Sequence, residues 1–306
     1  TSGLGCLIVV VKAFPLVDEK YLSAVEKYQP DKIFVLDVHG ISSEFIEQAK
    51  VPIVHVDHHL REEKIHGVKA FNPRYFDAKD NSPTSSICYH TVKQDLWLGA
   101  SGTLGDWCVN DVVTKCAKEN KDLLSPKVKE PGQGLYDSIF GKLARLIDLI
   151  MREKTEDIKK AVGLMIRIKD PREILEQSTE NGRLIYEKTN RVYSKYKEMY
   201  DQAEKNIKDD KLLVFIHPSS PYSFAGEIAN ELLYHHPDKI VLVAREKGDE
   251  YKISIRSAKI EIRSKLLNAL KKVHGSGGGH EMAVGANVKT NDFNEFIEEF
   301  KAQLNI

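Results

Sequence analysis

Residues 51–60 read Val-Pro-Ile-Val-His-Val-Asp-His-His-Leu. The apolar positions Val51, Ile53, Val54 and Val56 mark a short buried strand, and Asp57, His58 and His59 follow at its end. In an open parallel sheet, ligands bind beyond the carboxyl ends of the strands, so residues leaving a strand tip already face a cleft. Imidazole beside carboxylate suits Mn, Zn or Fe, whereas carboxylates alone suit Mg. Taken alone, the triplet is equally readable as a polar strand cap.

The flanking sequence carries the same alternation in both directions. Leu7–Val11 is an apolar β-branched run that reads as a central parallel strand, and residues 17–29 place Tyr21, Val25 and Tyr28 at helical spacing before Pro30. Residues 31–37 form a second buried strand ending in Asp37, and Ser42 to Ala49 form a helix. Strand, helix, strand, helix, strand predicts a parallel sheet with right-handed crossovers, which sets Asp37 and the 57–59 triplet on neighbouring strand tips. An aspartate after a strand can also merely cap the next helix.

Residues 61–84, rich in Asn, Pro, Asp and Ser, read as a loop that feeds a helix capped by Thr84 or Ser85. Small residues fill 97–107, WLGASGTLGDW, ahead of Asp106, and 111–210 show helical periodicity with interleaved charge, PGQG at 131–134 marking a turn. From Lys211 the pattern changes to a strand, a helix, two strands joined by KGDE with the Gly-Asp chemistry of a hairpin turn, and a helix from Ile262 to Val273. HGSGGGHEMAVGA follows; its glycines suit a loop whose amides approach an anion at positive φ, with His280 donating to the same phosphate and Arg256 offering a bidentate fork. The fold class is therefore α/β: an N-terminal parallel-sheet domain over 1–205 and a smaller C-terminal α/β domain with a mixed sheet over 211–306, joined by a helical connector.

The chain has 306 residues, enough to bury two cores, and 45 basic against 45 acidic side chains, so no net field draws it to nucleic acid or membrane. A polyanion must be recognised locally. Cys6, Cys88, Cys108 and Cys116 show no disulfide-framework spacing, and no apolar run reaches the ~20 residues of a membrane span, which points to a cytoplasmic protein.

Asp57-His58-His59 resembles the signature of the DHH phosphoesterase family, and GSGGGHEMAVGA at 275–286 resembles the glycine-rich signature of that family's associated C-terminal domain. Asp37 in FVLDVHG and Asp106 in LGD resemble the second and fourth motifs, and ISIRS resembles the other signature of the C-terminal domain. The resemblance implies a RecJ-like or oligonucleotide phosphodiesterase type of protein. In it Asp37, His58 and Asp106 bind metal, Asp57 orients His58 or a neighbouring ligand, and His59 serves the leaving oxygen. Arg256, Ser257, Gly277, Gly278, Gly279 and His280 hold a phosphate across a cleft between domains. The implied cofactor is Mn, with Mg as the alternative, in a two-metal site. The family's first motif, Asp-x-Asp before Gly, is not found, so ligands for only one metal are assigned. The implied substrates are single-stranded DNA or RNA, or short oligonucleotides, which the lack of a long basic stripe favours. The rival reading is a catalytically silent DHH-like scaffold or partner in DNA replication or repair.

Overall fold

The computed structural model describes residues 5–11, 16–61, 63–217 and 220–306. Its residues divide into two units, Thr1–Thr189 and Asn190–Ile306, and the division falls inside one long helix.

In the first unit, β1 (Leu16–Val17) pairs in parallel with β3 (Gly40–Ile41). A three-stranded parallel sheet has the order β2 (Ile33–Leu36), β4 (Ile53–Val56), β5 (Lys69–Phe71). Helix α1 (Leu22–Tyr28) ends at Gln29, and α2 (Ser43–Ala49) starts where the Ser42 hydroxyl accepts from the Phe45 amide at 3.1 Å. Val17, Val35, Ile41, Phe45 and Ile53 bury the inner face. The outer face is uncovered among the described residues: Phe34, Leu36 and Phe71 are 62%, 48% and 45% exposed.

Leu7–Val11 was expected as a central strand and is not one. It forms no regular element, and Leu7 and Val9 are exposed. A β-branched run becomes a strand only where its main-chain groups find a ladder partner, and β2 keeps an unpaired outer edge among the described residues. The supposed loop at 61–84 contains β5, which pairs Val54 with Lys69 and Val56 with Phe71.

Helices α3 (Thr84–Val92), α4 (Leu96–Gly105), α5 (Asp111–Glu119), α6 (Pro131–Tyr136), α7 (Ile139–Leu149), α8 (Thr155–Met165) and α9 (Arg172–Leu175) complete this unit. Their core includes Trp97, Leu104, Val113, Phe140 and Leu143, each contributing roughly 1.5–3 kcal/mol by burial. PGQG at 131–134 is the start of α6 rather than a turn. Pro131 occupies the first helical turn, where no amide partner is needed, and the Gln133 side chain accepts from the Glu130 amide at 3.4 Å. The small residues of α4 allow close packing: a Cβ at Gly102 would lie 2.6 Å from that of Ser85, and one at Gly99 2.9 Å from that of Tyr89.

Helix α10 (Glu180–Lys205) contributes to both units. The second unit is a mixed sheet in the order β6 (Leu212–His217), β7 (Ile240–Lys247), β8 (Glu250–Ser257), β10 (Ala283–Lys289), β9 (Gly275–His280). Only β6 and β7 are parallel; the crossover between them is α11 (Ala225–His235), and Gly248 turns the β7–β8 hairpin at φ 65°. Helices α12 (Arg263–Leu270) and α13 (Phe293–Leu304) supply Leu266, Phe296 and Phe300 to a core with Ile253, Ile255 and Val288. Among the described residues no helix is long and apolar enough to cross a membrane.

Candidate metal centre

The parallel register of β2 and β4, Leu36 beside Val56, brings the residues after each strand together. Asp37 leaves β2 with φ 57°, a left-handed turn an aspartate tolerates, while its amide donates to the Val56 carbonyl at 2.9 Å. Its carboxylate then lies against the 57–59 triplet. His58 Nε2 is 3.5 Å from Asp37 Oδ1 and 3.9 Å from Asp106 Oδ2, the latter carried by the C-terminal end of α4. Ligand atoms of Asp37, His58 and His59 all fall within 4.8 Å of one another.

Two donors on one ion with bonds of about 2.0–2.2 Å lie at most about 4.4 Å apart, so the His58–Asp37 and His58–Asp106 separations fit a shared divalent cation. The electrostatics fit it as well. Burial and the negative charge of Asp37 push the Asp106 carboxyl up to about 6, and a cation placed between the two carboxylates would relieve that repulsion. Among the described residues the one cluster of three such ligands found is Asp37, His58 and His59, and Asp106 adjoins it through His58.

Of the two groups Asp57 was expected to orient, His58 or a neighbour, it is the neighbour, His59, that hydrogen-bonds to its side chain. Asp57 is fully buried, and its carboxylate accepts from His59 Nδ1 at 2.7 Å and from the His59 amide at 3.3 Å. Burial alone would raise Asp57; the hydrogen bond and charge of His59 and the charge of His55 outweigh it and leave the carboxyl below its ordinary value. The same hydrogen bond raises His59 against its desolvation. Thus Asp57 fixes the ring of His59 and favours its protonated form. His58 Nδ1 is enclosed without a hydrogen-bond partner, so the outer support common to metal-bound imidazoles is missing there.

Several supporting residues escaped the sequence reading. Thr84, expected as a helix cap, is the first residue of α3 and donates its hydroxyl to Asp37 Oδ1 at 2.9 Å. Arg74 Nε donates to the His58 carbonyl at 2.8 Å, and Asn72 Nδ2 to the His59 carbonyl at 3.0 Å. Buried His55, its pKa lowered by desolvation, donates through Nε2 to the Val38 carbonyl at 2.8 Å and so holds the segment after Asp37. The Asn-Pro pair at 72–73 was the available signal: it marks a fixed turn directly after a strand.

In the second unit the glycine run is an edge strand, not a loop. Residues Gly275–His280 pair with β10, and of these glycines only Gly279 has positive φ, at 137°. A Cβ at Gly279 would lie 2.5 Å from the Ala283 carbonyl oxygen, whereas one at Gly278 would meet nothing within 4 Å. Strand alternation and register put Gly278, His280, Ser254 and Arg256 on one face. Arg256 Nε donates to Asn230 Oδ1 at 2.7 Å, near Gly226 at the start of α11. Ser257 points to the opposite, buried face, where its hydroxyl accepts from the Ile260 amide at 3.0 Å, so it is not brought together with Arg256. Gly277 lies on that same far side of the strand and has Ala286 and Leu270 as neighbours.

The fold of this chain, a parallel-sheet unit followed by a mixed-sheet unit, recurs in solved structures of DHH proteins. RecJ of Thermus thermophilus, solved with Mn2+, aligns over 94% of this chain at TM-score 0.63 and 15% identity; the chain spans about half (47%) of that protein. The DHH domain of a member of the s1p family of ribosomal proteins aligns over 96% of this chain and 76% of its own, at TM-score 0.60 and 15% identity. The pGpG-specific phosphodiesterase PggH of Vibrio cholerae aligns over 90% of this chain and 98% of its own, at TM-score 0.50 and 14% identity. No curated protein sequence matches the chain. Residues 209–305 match the DHHA1 domain family, and the fold of the chain is the one shared by these solved structures.

Proposed function

We propose that this protein is a divalent-metal-dependent phosphodiesterase that hydrolyses short single-stranded oligonucleotides or the end of a longer strand. The observation that carries the reading is the approach of Asp37, His58 and Asp106, with Asp106 made a weaker acid by burial and by the charge of Asp37. A cation held by these three residues, Mn with Mg as the alternative, would supply Lewis-acid activation of a water and neutralise the phosphate under attack.

The chain's own groups have separable tasks. His59 presents Nε2 while Nδ1 is tied to Asp57, and its raised pKa suits it to give a proton to the departing oxygen. Thr84 and the Arg74 and Asn72 clamps keep Asp37 and the 58–59 backbone in place. In the DHHA1 unit, Arg256 and His280 share the face bearing open Gly278, which suits the anionic part of a substrate. The phosphodiester substrate of PggH and the exonuclease name of a manganese-bound RecJ support this class of reaction.

The test is mononucleotide release from a short single-stranded oligonucleotide with Mn. Release that is lost in His58→Ala and Asp106→Asn supports the proposal. Wild-type chain that binds Mn and the oligonucleotide yet releases nothing would favour the scaffold reading.

A further inference from the structure

A second polar row crosses the DHHA1 sheet beyond the residues assigned above. Register sets Arg245 of β7 opposite Lys252 of β8, His217 of β6 beside Arg245, and Asn287 and Ser276 on the far side of Lys252. Alternation puts this row on the same face as Ser254 and Arg256. Lys252, Ser254, Asn287 and Ser276, with Ser223 before α11, line a groove of about 330 Å³.

Arg245 is the anomaly in the row. It is 7% exposed, its Nε is enclosed and makes no hydrogen bond, and among the described residues no carboxylate pairs with it. Glu250, at the far end of the hairpin, is engaged by Lys289 at 2.9 Å. A buried guanidinium is costly unless an anion or several acceptors compensate it, and its fork matches a phosphate.

We propose that Arg245, with Lys252, forms a second anion subsite in this unit, for a substrate phosphate other than the one held at Arg256. The proposal rests on the oligonucleotide reading of the Arg256 face. Lys252 and Arg256 are four residues apart on β8, about 13 Å at the usual strand rise, so the two subsites take phosphates from different nucleotides. Together they select an oligonucleotide over a mononucleotide.

The experiment is calorimetric binding to the full chain in EDTA, using a 5′-phosphorylated trinucleotide and a nucleoside 5′-monophosphate as probes. Wild type is expected to bind the trinucleotide at least ~10-fold more tightly, the scale of one charge-assisted contact. Arg245→Met should erase that preference and leave mononucleotide binding intact, with an unchanged or higher Tm because an unpaired buried charge is gone. Lys252→Met, at an exposed position, should reduce the preference without touching the core. A trinucleotide preference retained in both variants, or a lowered Tm with unchanged affinity in Arg245→Met, would overturn the subsite. Arg256→Gln should weaken both probes. If it weakens neither while Arg245→Met still acts, the Arg256 reading falls and the subsite stands. Wild type that binds neither probe overturns both.

Discussion

Asp106 sits where two carboxylates and an imidazole compete for the same few ångströms, and burial with the charge of Asp37 weakens its acidity. Because its pKa is raised to about 6, a proton occupies it below that pH and competes with the cation; above it the carboxylate is free. Mn affinity measured by titration calorimetry should therefore be full at pH 7.5 and weaken steadily as pH falls through 6, and Asp106→Asn should remove that pH dependence together with most of the affinity. Arg74 acts on the same residues through their backbone. Arg74→Met should cost roughly 10-fold in Mn affinity, the usual scale for a lost support behind a ligand, whereas Arg183→Met, which removes only an exposed pair with Glu187, should change nothing. The approach of Asp37, His58 and Asp106 was legible in the sequence because each ends an apolar segment. Thr84 and Arg74 were not, since their partners lie 47 and 16 residues away and nothing in local pattern links them.

At the scale of elements, α4 is defined by what it leaves out. Gly102→Val would drive a side chain against Ser85 and is expected to destabilise by about 2–3 kcal/mol, several degrees in Tm. Gly163→Ala, inside α8 and with no atom within 4 Å of the new Cβ, should be neutral or stabilise by up to ~1 kcal/mol. Thermal unfolding of both variants checks the pair. Strands β2, β4, β7 and β8 were readable because apolar side chains record a buried ladder. Strand β9 was not: five residues of Gly275–Gly279 include four glycines, which carry no pattern, so its pairing with β10 leaves no mark in composition. The opposite error at Leu7–Val11 has the same root, since a β-rich run does not reveal whether an edge awaits it.

For the whole molecule, 45 basic residues balance 45 acidic ones, so affinity for nucleic acid must come from a few local contacts. With about two phosphates engaged, the logarithm of affinity should fall with the logarithm of salt at a slope near −1.4, far shallower than for a protein that tracks a long strand. A titration of a single-stranded oligonucleotide across salt concentrations measures it. The proposed hydrolysis requires an ion held by Asp37, His58 and Asp106. Mn titration of the full chain, followed by electron paramagnetic resonance of the free ion, tests it directly: one ion bound per chain, and none in Asp37→Asn or His58→Ala, is the expected result. Wild type that leaves all the Mn free, or variants that bind it as the wild type does, would contradict it.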